Sequence, residues 1–317
     1  WRENTYPGIA CDVPAHLYTY TFEPNPHWSH VFAPGEEIQA YFEGVAKKYK
    51  VLPSIEFNTE ITRCVFENGR WQLTTATGKS DSADVVIAAT GVLHYPNTPD
   101  IAGLEDFKGA CFHSARWNHD VALDGKRVGV IGTGSTAIQI TSALVPKVAK
   151  FELFQRTAQW VMPIENPAYS SEERAAFAAD PTRIFAIRDE AKRMMTDFIA
   201  NAVINADSKE MVSIERACLE NLENNVKDPV LREKLRPNYR AACKRLIFSP
   251  DFYDAIQRPN AELVTEGITR VEAGGVRTAD GRLHELDALV LATGFRADRF
   301  IRPTLVLAED PRHKLMC

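Results

Sequence analysis

Residues 107–137 organise this chain and read FKGACFHSARWN, then a short linker, then KRVGVIGTGSTA. Residues 126–131 have the apolar pattern of a buried strand, and a helix is predicted to begin after the two glycines that follow. Glycines suit such a turn because the backbone must approach a pyrophosphate closely and present helix N-terminal N–H groups to it. The pattern G-x-G-x-x-A therefore predicts a dinucleotide-binding turn. The residues predicted to hold a cofactor here are Gly132, Thr133, Gly134, Ser135, Thr136 and Ala137.

The half before that strand has its own spacing, F-x-G-x-x-x-H-x-x-x-W, formed by Phe107, Gly109, His113 and Trp117. From the residues alone, this half is a linker whose histidine and tryptophan pack two domains together. Combined with the glycine turn, the spacing resembles the fingerprint of the type I Baeyer–Villiger monooxygenases, which use FAD and NADPH to insert oxygen next to a ketone. The family continues with Pro or Asp after the tryptophan, whereas this chain has Asn118. The resemblance implies a hinge between two nucleotide-binding domains, without direct chemistry.

Composition excludes several classes of function. The chain has 317 residues, enough for about two domains. Its net charge of −5 and the lack of a basic block make nucleic acid and anionic membranes poor partners. No apolar run approaches the roughly 18 residues that span a bilayer. The cysteines form no C-x-x-C pair, which favours a reducing cytoplasm and argues against zinc or a dithiol centre. They are Cys11, Cys64, Cys111, Cys218, Cys243 and Cys317.

An internal sequence repeat indicates the fold class. The segments ADVVIAATGV (residues 83–92) and DALVLATGF (residues 287–295) each follow a β-hairpin pattern, the first with Asn68-Gly69 at its turn. Each segment is predicted to be an apolar strand that ends in A-T-G. The expected architecture is α/β, with two dinucleotide-binding, Rossmann-like domains, β-meander insertions and a helical insertion. Ser170 with Glu173 predicts a capping box at the start of that helical part.

The resemblance also implies domain boundaries. Residues 1–118 correspond to the first part of an FAD-binding domain, without its first βα unit. Residues 119–285 correspond to an NADP-binding domain whose helical insertion covers about 165–240, and residues 286–317 return to a truncated FAD-binding domain. Compared with the family, the chain is expected to be an interior fragment that is inactive by itself. Its oligomeric state is left open.

The end of the second predicted strand, residues 148–155, bears on the choice of nicotinamide cofactor. An NAD enzyme usually carries an acid there to bind the ribose hydroxyl, whereas this chain has Arg156 and Thr157. A guanidinium and a hydroxyl suit a 2′-phosphate through charge-assisted bonds. The alternative is a solvated arginine at the end of a strand. The sequence therefore predicts NADPH over NADH.

The first residues are similar to the flavin-contacting loop of the family, in the run W-x-x-N-x-Y-P-G-x-x-C-D-x-x-x-x-x-Y. By that resemblance Trp1, Cys11, Asp12 and Tyr18 contact FAD, and Asp12 lies closest to the chemistry. Without the resemblance, Asp12 is a turn or capping residue.

Residues 237–264 resemble the segment that carries the active-site arginine of the family. That role falls on Arg245, and Lys244 beside it is assigned to cofactor binding; the alternative is two surface cations. Aromatic residues are expected around the arginine: Phe248, Phe252 and Tyr253.

The resemblance implies insertion of one oxygen atom of O2 next to a ketone carbonyl through a flavin peroxide, giving an ester or lactone. The fixed cation of Arg245 would stabilise the developing oxyanion, with Asp12 paired to it. An N- or S-oxygenating flavin monooxygenase is the alternative enzyme, and the chain alone is alternatively a non-catalytic nucleotide-binding module.

Overall fold

The computed structural model describes residues 1–299, 301 and 303–307. Its α-helices are α1 (Gly35–Lys48), α2 (Ser135–Leu144), α3 (Ser171–Ala179), α4 (Thr182–Arg193), α5 (Ala200–Ile204), α6 (Lys209–Asn225), α7 (Pro229–Lys234) and α8 (Phe252–Ile256). Its strands are β1 (Ile61–Glu67), β2 (Arg70–Thr75), β3 (Ser80–Ala83), β4 (Ala110–His113), β5 (Arg127–Ile131), β6 (Lys150–Phe154), β7 (Val161–Met162), β8 (Ile247–Phe248), β9 (Ala261–Val264), β10 (Ile268–Glu272), β11 (Gly275–Thr278), β12 (Leu283–Glu285), β13 (Ala288–Leu291) and β14 (Leu305–Leu307). Short 3₁₀ helices cover Leu52–Ser54, Leu104–Asp106, Ser114–Arg116 and Ala297–Arg299.

The chain divides into two compact units. The first contains residues 1–43 and 98–293, and the second contains residues 44–97 and the chain from Gly294 onward. In the first unit β13 pairs with both β4 and β5 in one sheet. The predicted boundaries after residues 118 and 285 therefore fall between strands of a single sheet. The assignment of these ranges to FAD and NADP domains stays a prediction.

The main sheet of the first unit has the strand order β4–β13–β5–β6–β9, and every pairing in it is parallel. Its central strands are buried on both faces, as parallel strands covered by helices require, and Val128 and Val130 of β5 are fully buried. Helix α2 follows β5 directly and packs Ile138, Ile140 and Leu144 into the same core. This strand–turn–helix within a parallel sheet confirms the predicted α/β, Rossmann-type fold class.

The second unit contains the predicted hairpin. Strands β1 and β2 are antiparallel, and Asn68 and Gly69 between them have φ values of +52° and +74°. Two positive φ angles are what a two-residue hairpin turn requires, so the Asn-Gly signal is confirmed. Strand β3 pairs with β2, and β14 runs parallel to β1.

The first copy of the internal repeat does not form the predicted strand. Strand β3 ends at Ala83, and residues 84–92 have no regular structure. Val85 is 72% exposed and Ile87 is 85% exposed. An apolar strand needs parallel neighbours for its backbone and its side chains, and none of the described residues pairs with residues 84–92. The second copy, by contrast, is strand β13.

The predicted helical insertion begins at α3, where Ser170 and Glu173 form the expected capping box. Helix α4 continues through a π-helical turn (Met194–Ile199) into α5. The apolar residues along this helix are only partly buried, since Ile184 is fully buried and Met194 is 45% exposed. The π turn changes the helical phase, so one stripe at α-helical spacing cannot stay on one face.

Candidate active site

The glycine turn between β5 and α2 is fixed by contacts to β13. Gly132 has a φ of +119°, and a Cβ atom there would lie 2.3 Å from the carbonyl oxygen of Ala292. Gly134 caps α2, and a Cβ atom on it would meet open space. The first glycine is therefore required by the protein itself, whereas the second leaves room for a ligand. Ala137 is fully buried, which allows the helix to lie close to the sheet.

Two hydroxyl groups beside this turn differ in their bonding. The Oγ atom of Ser135 is buried and has no hydrogen-bond partner in the described part of the chain. The Oγ1 atom of Thr133 donates to the carbonyl oxygen of Thr157 at 2.9 Å. A buried hydroxyl without a partner at the N-terminus of a ten-residue helix fits the pyrophosphate that this turn is predicted to bind.

The predicted 2′-phosphate residues lie beyond the end of β6. Arg156 is exposed and has no ion-pair partner among residues 1–299. Lys244 lies 4.8 Å above the ring of Tyr239, whose hydroxyl donates to Gln159 at 3.0 Å. Gln159 in turn donates to the Thr133 hydroxyl at 3.2 Å. Lys244 is thus connected to the glycine turn through side chains that the sequence analysis did not identify.

Asp12 and Arg245, which the sequence analysis expected to pair, form an ion pair across 233 positions of the chain. The Nε and Nη2 atoms of Arg245 donate to the same oxygen of Asp12, Oδ2, at 3.1 and 2.5 Å. The Asp12 side chain is 20% exposed and that of Arg245 is 67% exposed. One carboxylate therefore holds one edge of the guanidinium, and the rest of the group faces solvent.

The aromatic residues expected around Arg245 are placed differently. Phe252 and Tyr253 are buried in the main core with the residues of α2 and β5. Burial raises the pKa of the Tyr253 hydroxyl. These two rings support the sheet, and the sequence prediction that they surround the arginine is wrong. Their apolar character is explained by the core, which local sequence cannot distinguish from a site wall.

The predicted flavin loop forms a small core of its own. The indole N–H of Trp1 donates to the Tyr18 hydroxyl at 3.3 Å, and the two rings meet edge to face. Cys11 is buried beside Trp28 and Ile38. Burial raises the pKa of the Cys11 thiol to about 11, so this group is neutral at pH 7. Three of the four predicted FAD residues, Trp1, Cys11 and Tyr18, thus belong to one cluster.

Two clefts open beside this loop. The smaller, of about 250 Å³, is lined by Cys11, Asp12 and Phe248, with Gln139 of α2 on another side. The larger, of about 640 Å³, has Trp1 in its wall. Asn166 lines both, and its amide bonds both backbone groups of Phe32. No motif marks Asn166, whereas Gln139 could have been found from its helical spacing to Ser135, four residues earlier.

The fingerprint residues act through packing. Phe107 is buried with Leu289 of β13, and a Cβ atom on Gly109 would lie 2.5 Å from the carbonyl oxygen of Asp287. The Nδ1 atom of His113 accepts a hydrogen bond from the backbone N–H of Ala115 at 3.1 Å. Trp117 meets the Phe112 ring edge to face at 5.0 Å. The segment therefore fixes β4 beside β13.

A second group of ionisable residues lies away from the glycine turn. Glu152, Glu262 and His284 bring ligand-type atoms within 4.8 Å of one another. Glu152 is fully buried, accepts a hydrogen bond from Lys150 at 2.5 Å and faces His284 at 2.9 Å. Arg282 pairs with Glu262. Because two cations already compensate the two carboxylates, the group is accounted for as an ion-pair network, and the absence of a metal site stays a prediction.

No helix in the described ranges is both long and apolar enough to cross a bilayer.

Known proteins resemble this chain over nearly its whole length. The family model described as flavin-binding monooxygenase-like matches residues 2–300. An uncharacterized monooxygenase of Mycobacterium tuberculosis is 46% identical over 98% of this chain and 62% of its own length. A Baeyer–Villiger monooxygenase of Streptomyces coelicolor is 43% identical, again over 98% of this chain, and 60% of its own length.

The fold is shared with a solved enzyme structure. The crystal structure of cyclohexanone monooxygenase from Rhodococcus sp. Phi1 bound to NADP+ superposes with a TM-score of 0.81, at 31% identity. The match covers 93% of this chain and 63% of that one. The chain thus spans about three fifths of the length of the curated relatives that it matches. It belongs to the flavin-binding monooxygenase-like family.

Proposed function

We propose that this chain carries the nicotinamide-binding part and the catalytic arginine of an FAD- and NADPH-dependent Baeyer–Villiger monooxygenase. The substrates are a ketone and O2, and the product is an ester or lactone. The observation that carries the proposal is the ion pair of Arg245 with Asp12, at 2.5 and 3.1 Å. The similarity to Baeyer–Villiger enzymes over the whole chain supports the same reaction class.

The arginine supplies a permanent positive charge. When bound and reduced by NADPH, the flavin supplies the activation of O2. A guanidinium is a permanent cation in proteins, and that of Arg245 stabilises negative charge that develops on oxygen beside it. Preorganised donors of this kind contribute about 3–4 kcal/mol to transition-state stabilisation. Only one edge of the guanidinium is occupied by Asp12, so its remaining N–H groups are available to the reacting oxygen.

The nicotinamide cofactor is held by residues of this chain. The N–H groups at the start of α2 and the partnerless Ser135 hydroxyl suit the pyrophosphate. Arg156, Thr157 and Lys244 suit the 2′-phosphate, since Arg156 is exposed and lacks an ion-pair partner among residues 1–299. NADPH is therefore the proposed reductant. The five described cysteines are free thiols, which supports a cytoplasmic protein.

The test uses a form of the protein that spans the full length of its relatives. Ketone and amine substrates are compared, with NADPH consumption and oxygenated product both measured. Arg245→Ala is expected to lower kcat for the ketone about 100- to 1,000-fold, while Arg216→Ala on the surface of α6 leaves it unchanged. Product from the amine alone, or full ketone activity in Arg245→Ala, would refute the proposal.

A further inference from the structure

The loop of residues 6–12 lies directly on helix α2. Gly8 has a φ of +83°, and a Cβ atom there would lie 2.7 Å from the carbonyl oxygen of Gln139 and 3.0 Å from the Cβ atom of Ala143. Both the backbone conformation and the close approach therefore require glycine. The helix that begins at the nucleotide turn thus supports, four residues later, the loop that leads to Asp12.

Side chains fasten the loop to the helix in a fixed direction. The Tyr6 hydroxyl donates to Oε1 of Gln139 at 2.9 Å, and Nε2 of Gln139 donates to the carbonyl oxygen of Ala10 at 3.0 Å. Because a carbonyl can only accept, the amide orientation of Gln139 is determined. The Tyr6 hydroxyl accepts a longer bond, 3.4 Å, from Thr136 in the first turn of α2.

This series of bonds joins the two halves of the proposed site. At one end, Thr136 follows Ser135, where the pyrophosphate is proposed to bind. At the other end, Ala10 stands two residues before Asp12, the partner of Arg245. Tyr6 is 8% exposed and belongs to the main core, so the middle of the series is anchored. The backbone beyond it is held as well, since the Cys11 N–H donates to Ala33 at 2.9 Å.

We propose that Gln139 is a positioning residue: it sets the place of Asp12, and through it Arg245, relative to the nucleotide-binding end of α2. The proposal rests on the function proposed above. Gln139 binds the loop by two hydrogen bonds and lines the same cleft as Asp12, and its side chain forms no hydrogen bond with Asp12 or Arg245. Its loss therefore leaves the pyrophosphate donors in place and lets the Asp12 loop move. The expected consequence is NADPH oxidation that yields less oxygenated product.

The test compares Gln139→Met with Gln72→Met in the full-length form. The first change removes both bonds to the loop, whereas Gln72 lies on β2 of the second unit and lines neither of the two clefts. Gln139→Met is expected to lower the product formed per NADPH about fivefold, the combined effect of losing two weak hydrogen bonds. The Kd of NADP+ is expected to change less than about twofold. Tyr6→Phe, which removes one of the two bonds, is expected to give a smaller loss.

Hydrogen exchange supplies a readout that does not depend on turnover. With NADP+ bound, peptides that cover residues 6–12 are expected to exchange about fivefold faster in Gln139→Met than in the parent protein, while exchange in β5 stays unchanged. Equal exchange and equal product per NADPH in Gln139→Met and Gln72→Met would overturn the proposal. A parent protein that oxidises no ketone would refute the proposed function alone, because the exchange experiment would still test the positioning role.

Discussion

The two copies of the D-x-x-x-x-A-T-G repeat have nearly the same residues but different structures. Residues 287–294 begin with an aspartate bonded to Arg127 and form β13 between two parallel strands. Residues 84–91 begin with an aspartate bonded to Arg70, yet no described residue pairs with them as a strand. Ile87 is 85% exposed, and Val290, at the equivalent position, is fully buried. The difference shows that a segment with an apolar strand pattern forms a strand only where neighbouring strands pair with it.

The largest expected contrast is between Val290→Asp and Ile87→Asp. A carboxylate at position 290 would be buried between β4 and β5 without a partner, so the free energy of unfolding should fall by about 3–5 kcal/mol. At the exposed position 87, the same change should cost less than about 0.5 kcal/mol. Urea unfolding of both variants measures this. Similar losses in the two would mean that residues 84–91 are packed in solution.

The glycines beside the two copies should also differ. Gly132→Ala would push a Cβ atom against the Ala292 carbonyl, which belongs to the β13 side of the sheet, and is expected to cost about 2–4 kcal/mol. Gly91→Ala meets open space and has only the strain of a φ of +72°, about 1 kcal/mol. Thermal unfolding distinguishes them. An equal cost at both sites would contradict the close approach at Gly132.

The two leading aspartates give a smaller contrast. Asp287 accepts bonds from the side chain and the backbone N–H of Arg127, the latter at 2.9 Å. Asp287→Asn is therefore expected to cost about 1 kcal/mol, whereas Asp84→Asn removes an exposed pair and should cost close to zero. If both substitutions had the same effect in urea unfolding, the charged pairing of Asp287 with Arg127 would not contribute.

The smallest effect is a dependence on pH. The side-chain bond from Arg127 lowers the pKa of Asp287 from 3.8 to about 2. A lowered pKa means that the carboxylate stabilises the fold above pH 4, and that this contribution is lost as the pH falls from about 4 to about 2. Unfolding free energies measured across that interval should converge for the parent chain and Asp287→Asn. A constant difference down to pH 2 would exclude the linkage.

Local patterns predicted the parts of the fold that depend on neighbours in sequence. The strand–turn–helix at Gly132, the hairpin at Asn68-Gly69 and the capping box at Ser170 each use residues within a few positions of one another. The strand predicted at residues 84–89 did not form, because strand formation depends on pairing with segments that the local sequence pattern does not contain. Pairing of β13 with both β4 and β5 likewise joins distant segments, which one sequence does not reveal.

The candidate site was predictable to a similar extent. Asp12, Arg245 and their pairing all came from resemblance to a family, because two residues 233 positions apart carry no local signal of contact. Phe252 and Tyr253 show the opposite failure, since an apolar ring looks the same in a core and in a site wall. Gln139 carries no motif, and its importance appears only once the loop is seen on α2.

The buried carboxylate of Glu152 has a consequence for sequence drift. Lys150 on β6 and the closely spaced residues Arg282 and His284 at β12 converge on one charge that is shielded from water. Replacing Lys150 or Arg282 alone would leave the charge of Glu152 undercompensated. Replacing Glu152 alone would leave these cations without their buried partner. Homologous chains should therefore keep all of these residues or exchange them together, so substitutions at these positions are expected to be coupled in evolution.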